Sequence, residues 1–241
     1  MLAHFPDIPF SNIWIAQTLH DKLPKDSFLY FSILNSLRAW NFFQLPKEII
    51  TNCNVGGFGI DGTISTVLGA SLACPAKTIF AIVGDLAFFY DLNALGNRHF
   101  GKNIRILLIN NGCGTEFRNY DHPASYWGEE ANIYMAAGGH FGNQSKELLR
   151  NFTKNLGFEY LSASSKKDFL EVYPIWVKTV SDKPIVLEVF TNSTDESVAL
   201  NTLRNLIPPP KSQQIKDTIK ETLKSALGKE VFSSIKKVIK K

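Results

Sequence analysis

The sequence predicts an α/β fold, a three-layer α/β/α arrangement around a mostly parallel sheet, followed by a C-terminal helical tail. Three observations predict it. Short apolar runs rich in β-branched and aromatic residues recur along the chain, continuous and not alternating, as strands buried on both faces require. Segments of helical periodicity separate them, the alternation that builds parallel crossovers. Two polar pairs, Gly84-Asp85 and Asn110-Asn111, fall just past the ends of two such runs, where open α/β sheets bind ligands.

Taken in order, the runs place strands near 28–33 (FLYFSI), 48–52, 78–83 (TIFAIV), 104–109 (IRILLI), 158–162 and 184–190 (PIVLEVF). Helical spacing covers 35–44, 61–73, 90–99, 145–156, 167–180 and 196–206. The stretch 115–134, TEFRNYDHPASYWGEEANIY, is polar, aromatic and longer than an ordinary connection, and is expected to act as a lid or binding loop. Pro208-Pro209-Pro210 closes a first domain, 1–207. In the tail, 208–241, Ile215, Ile219, Leu223 and Leu227 recur every four residues, and Val231, Phe232, Ile235, Val238 and Ile239 follow Gly228. That pattern is an amphipathic, lysine-rich helix, expected to pack on the domain or on a partner subunit, with weak membrane-surface contact or disorder as alternatives.

Composition narrows the class. With 44% hydrophobic and 20% charged residues, the 241-residue chain reads as a soluble globular protein with a full core. The net charge of +4 is misleading, because residues 211–241 carry nine lysines against three acids and the remainder sums to about −2. A nucleic-acid partner is therefore not expected. Cys53, Cys74 and Cys113 show no C-x-x-C pairing, which points to a reducing, cytoplasmic setting without a disulfide framework or zinc cluster. The N-terminus lacks the basic and apolar regions of a secretory signal, and no apolar run reaches the roughly 18–20 residues of a membrane span.

An aspartate and an asparagine just beyond neighbouring strands can serve one purpose together. Hard divalent cations such as Mg²⁺ take carboxylate, amide and backbone oxygens together with substrate phosphates. Asp85 and Asn111 supply side-chain oxygens, and the Gly112-Cys113-Gly114 turn can bring in a carbonyl. Gly84 leaves room for close approach of the backbone, and a helix start after Asp85 suits anionic groups. Asp85 as a helix cap and Asn110-Asn111-Gly112 as a plain turn are the competing structural readings. No dinucleotide or P-loop glycine pattern is present.

The spacing Gly84-Asp85-Leu86, about 25 residues, then Asn110-Asn111 resembles the thiamine-diphosphate fingerprint, with Leu86 in place of its usual third glycine. The segments NSL (35–37), GFGIDGTISTVLGASL (57–72), AIVGDLAFFYDLNAL (81–95), LLINNGCG (107–114) and VLEVFTNSTD (186–195) resemble the diphosphate-binding domain of the menaquinone-pathway succinyl-enolpyruvyl-hydroxycyclohexene-carboxylate synthases. The likeness runs in order over about residues 20–207.

That resemblance implies thiamine diphosphate and Mg²⁺ as cofactors, with Asp85, Asn111 and the Cys113 carbonyl as metal ligands. It implies cofactor contacts at Gly59, Ile60, Gly84, Leu86, Ala87 and Gly114 and a place for Phe117 near the substrate pocket, for which Ser36 and Arg118 are further candidates. Glu116 and His122 are further candidates for proton transfer. The implied chemistry is decarboxylation of a small 2-oxo acid, carboligation, or both. Such enzymes carry their activating glutamate on a pyrimidine-binding domain, for which 241 residues leave no room, so a second domain or subunit in a homo- or hetero-oligomer is expected. The alternative is a non-catalytic cofactor-binding or regulatory module. The sequence also departs from the family: Trp40 and Val55 stand where substrate-binding arginines are expected, Arg38 lies two positions early, and Glu116 replaces an isoleucine.

Overall fold

The computed structural model describes residues 5–57, 59–119, 122–140, 142 and 145–206. The proline run and the basic tail lie outside the described residues. Met1–Asn201 gather into one compact unit, and the whole sheet belongs to it.

Six strands form one sheet in the order β2-β1-β3-β4-β6-β5: β1 Ser27–Phe31, β2 Ile50–Cys53, β3 Thr78–Gly84, β4 Ile104–Asn110, β5 Glu159–Ala163 and β6 Ile185–Phe190. Every pairing is parallel. The central pair explains the unbroken apolar runs. Residues 104–110 of β4 are buried throughout, as are all of β3 except Gly84. The edge strand β2 reads Ile-Thr-Asn-Cys and is largely exposed, a short and polar edge that discourages further pairing.

Helices cover both faces. On one, α3 (Thr63–Ala73), α4 (Asp85–Tyr90) and α6 (Lys146–Asn155) contribute Ile64, Val67, Phe88 and Leu149 to a core with Ile79, Ala81, Val83, Ile106 and Leu108. On the other lie α1 (Asn12–Leu19), α2 (Asn35–Trp40) and α7 (Lys166–Trp176). There Trp176 packs edge-on against Phe80 at 4.9 Å, and its indole N–H donates to the Ile106 carbonyl at 3.1 Å. Ser11, Ser145 and Ser165 cap the N-termini of α1, α6 and α7, satisfying backbone donors that helix starts leave open. The short α5 (Ala131–Tyr134) and α8 (Ser193–Arg204) complete the set.

The sequence places all six strands to within about two residues. The helices differ more: those expected over 35–44 and 167–180 end earlier, at Trp40 and Trp176. The helix expected over 90–99 begins instead at Asp85, because Gly84 leaves the strand in extended conformation and the chain coils at once. It stops at Asp91, whose carboxylate accepts the Ser65 N–H at 2.6 Å and the Ser65 hydroxyl at 2.9 Å, and a 3₁₀ turn over Leu92–Gly96 follows. The described residues of 115–134 form 3₁₀ turns at Thr115–Arg118 and Pro123–Glu130 that lead into α5. Helix α1 was not expected.

Candidate functional site

The strand order reverses between β1 and β3: from β1 the chain crosses outward to β2, and from β3 it crosses the other way to β4. A crevice is expected at the carboxyl ends of those strands. The structure has an open cleft there. Segments after β1 (Ser32–Ser36), β3 (Gly84–Ala87) and β4 (Asn111, Cys113–Phe117) form its walls, with Ile60 from the β2–α3 connection.

The parallel register sets the central geometry. Gly84 pairs with Ile109, so Asp85 and Asn111 leave adjacent strands almost level with each other. Asp85 is 3% exposed, and a buried carboxylate needs partners. Its Oδ1 accepts the Leu86 N–H at 2.9 Å, and its Oδ2 accepts the Gly112 N–H at 2.7 Å. The ring of His140 places Nε2 2.9 Å from the same Oδ2. Gly112 reaches that position with φ +81°, a left-handed conformation that disfavours any residue with a Cβ. Asn111 Oδ1 receives only a long contact, 3.4 Å, from the Cys113 N–H, and retains acceptor capacity towards the cleft.

The neighbouring Asn110 does something different. It is fully buried, and its amide donates to Glu188 Oε1 at 2.7 Å and to the Gly142 carbonyl at 3.2 Å. Tyr160 donates to the other Glu188 oxygen at 2.7 Å. Burial pushes the Glu188 carboxyl above its ordinary range, and the hydrogen bonds from Tyr160 and Asn110 oppose that shift.

Among the described residues no group of three or more His, Cys, Asp or Glu side chains could hold a metal ion. A cation here would therefore rely on Asp85, the Asn111 amide and a backbone oxygen, completed by oxygens of a ligand. That all-oxygen set suits Mg²⁺ and not zinc. Cys113 lines the cleft, and its carbonyl accepts the Thr115 N–H at 2.9 Å and has a second lone pair. Burial, with the nearby Asp85 charge second, pushes the Cys113 thiol up to about 11, so it stays protonated at neutral pH and is a poor nucleophile.

Of the other residues that the sequence singles out, Ser36, Ile60, Gly84, Leu86, Ala87, Gly114, Glu116 and Phe117 all line the cleft. A Cβ at Gly114 would stand 3.3 Å from both Leu86 Cδ1 and Phe117 Cδ2, so glycine keeps that wall close. Gly59, Arg118 and His122 are not among the lining residues. The Gly59 carbonyl accepts from the Asn54 amide at 2.9 Å. The Arg118 guanidinium is committed to the Gly128 carbonyl and to Glu129, the latter at 2.6 Å. His122 Nδ1 accepts the Ala124 N–H at 3.0 Å and caps the 3₁₀ turn.

Three features escaped the sequence reading. His140 has no spacing relation to Asp85. Leu34, in the cleft wall, holds φ +65° and ψ −124°, a strained conformation for a residue with a side chain and the kind that clusters at functional sites. Glu196 of α8 lines the cleft at 8% exposure, accepting the Asn12 N–H at 3.0 Å and the Thr191 hydroxyl at 2.8 Å. Burial raises its carboxyl to about 7.

Comparison with known proteins decides what this arrangement belongs to. The family described as "Thiamine pyrophosphate enzyme, C-terminal TPP binding domain" matches residues 35–189. The chain belongs to that family. Its thiamine pyrophosphate domain is 31% identical over 193 residues to a 2-succinyl-5-enolpyruvyl-6-hydroxy-3-cyclohexene-1-carboxylate synthase of Bacteroides fragilis, covering 80% of this chain and 33% of that protein. It is 36% identical over 205 residues to the enzyme of the same name from Flavobacterium psychrophilum, covering 85% of this chain and 35% of the relative. The chain thus spans about a third of the length of these relatives. A solved structure titled a putative thiamin diphosphate-dependent enzyme from Mycobacterium smegmatis shares the fold, with a TM-score of 0.55 at 17% identity over 76% of this chain and 32% of that one. The thiamine pyrophosphate domain thus has the predicted α/β fold. No helix among its described residues is long and apolar enough to cross a membrane.

Proposed function

We propose that this chain is the diphosphate- and Mg²⁺-binding part of a thiamine-diphosphate-dependent enzyme that acts on a small 2-oxo acid by decarboxylation, carboligation or both. A pyrimidine-binding domain or subunit would complete the site, in a homo- or hetero-oligomer. The observation that carries the reading is the meeting of Asp85, Asn111 and Cys113 in the switch-point cleft.

The cleft lining supports a cation-dependent mode of binding. Among the described residues it contains Asp85, Glu116 and Glu196 but no Lys, Arg or His. A diphosphate entering beside the Asp85 carboxylate would be repelled unless a divalent ion bridged the two. Asp85 and Asn111 would hold that ion, and the Gly112 N–H and His140 fix the Asp85 carboxylate from behind, as outer partners orient metal ligands. When bound, the cofactor supplies the electron sink for cleaving the bond next to the 2-oxo group. The chain's own contribution is to position it, to exclude water with Ile60, Leu86 and Phe117, and to keep the Cys113 thiol protonated so that it does not compete as a nucleophile.

Calorimetric titration of the chain with thiamine diphosphate tests this reading. Binding is expected only with Mg²⁺ present, and CO₂ release from a 2-oxo acid only after a pyrimidine-binding domain is added. Absence of Mg²⁺-dependent binding, with or without that domain, would overturn it.

A further inference from the structure

Asn35 and Glu116 line the cleft from the segments that follow β1 and β4. Arg38, three residues beyond Asn35 on α2, places Nη1 against Glu116 Oε2. With its amide oriented to satisfy both partners, Asn35 donates to the same Oε2 at 3.0 Å and accepts the Glu116 N–H at 2.9 Å and the Thr115 hydroxyl at 2.6 Å. An arginine and an amide thus converge on one carboxylate, a donor set suited to a bound anion. The Glu116 side chain is 15% exposed and that of Arg38 42%. The protein's own carboxylate occupies the place.

We infer that Glu116 determines specificity by filling an anion subsite made by Arg38 and Asn35, so that the cleft takes a monocarboxylic 2-oxo acid and excludes substrates that carry a second carboxylate. The substrate class rests on the thiamine-diphosphate reading; the filled subsite does not. A tethered carboxylate loses no translational freedom on docking, whereas a free one does, so Glu116 outcompetes a ligand for Arg38. A ligand carboxylate placed nearby also meets the like charge of Glu116 in a cleft that Asp85 lines as well.

The test uses the 241-residue chain and succinate, an inert dicarboxylate, followed by calorimetry or NMR. The wild type is expected to bind it weakly, and Glu116→Ala at least about tenfold tighter, the gain of one charge-assisted hydrogen bond. Arg38→Ala introduced alongside Glu116→Ala should abolish that gain. Glu116→Gln, which keeps the shape and an acceptor, guards against misfolding and should give a smaller gain with a wild-type melting temperature. No gain in a folded Glu116→Gln or Glu116→Ala protein, or a gain that survives loss of Arg38, overturns the inference. Thiamine diphosphate with Mg²⁺ titrated into the same wild-type sample reports separately on the proposed function, and its failure leaves the succinate result intact.

Discussion

Replacing Glu196 with glutamine should remove one pH-dependent contribution to stability. The carboxyl is 8% exposed at the cleft wall. Burial is the main cause that raises it to about 7 from an ordinary 4.5, opposed by hydrogen bonds from the Asn12 N–H and Thr191, with the charges of Asp195 and Asp85 adding smaller upward pushes. The folded state therefore holds a proton that the unfolded chain releases between about pH 4.5 and 7. The sign follows: this contribution is fully present below pH 4.5 and is lost as the pH rises through 7. At 1.36 kcal/mol for each unit of displacement, the loss is about 3 kcal/mol by pH 8. Glutamine keeps an oxygen for the Asn12 and Thr191 donors and has no proton to lose. Urea melts of wild type and Glu196→Gln at pH 4.5 and pH 8 measure it. The stability difference, variant minus wild type, should rise by about 3 kcal/mol between the two conditions, or very roughly 5–10 °C in melting temperature for a domain of this size. Constant effects of the substitution cancel in that comparison. A difference that stays within about 0.5 kcal/mol across the range would refute the buried, proton-holding state of Glu196.

The same geometry sets two further expectations. His140→Ala removes the ring beside Asp85 Oδ2 and should weaken Mg²⁺-dependent thiamine diphosphate binding about 10- to 100-fold, as loss of an outer-shell partner does, while His140→Gln recovers part of the affinity; calorimetry distinguishes the two variants. Cys113, with its thiol pushed up to about 11, should react with iodoacetamide at pH 8 roughly a hundredfold more slowly than a thiol of ordinary acidity, and mass spectrometry of the folded chain should find it unmodified when exposed thiols are consumed.

The fold was legible because its signals are local. Residues 78–84 and 104–110 are apolar without alternation, and only strands covered on both faces need that. The Asp85–Asn111 pair was legible for the same reason: each residue stands just past the end of its own strand, and parallel pairing of those strands brings them almost level. What stayed hidden depends on the chain returning from elsewhere. His140 meets Asp85 from 55 residues away through a connection without a periodic signal. Arg38 meets Glu116 across 78 residues, so two departures that look independent in sequence are one ion pair in space. The helix expected at 90–99 was misplaced because its apolar residues also fit a start at Asp85, and the Asp91–Ser65 contact that ends it is tertiary. The boundary at Pro208 and the lysine-rich helix beyond it lie outside the described residues.

In the proposed function Asp85 anchors a divalent cation against a diphosphate. Calorimetric titration of thiamine diphosphate with Mg²⁺ into wild type and Asp85→Ala tests it most directly, with circular dichroism confirming that both are folded. Mg²⁺-dependent binding by the wild type, abolished in the variant, is the expected result. Equal binding by the two proteins would contradict the account.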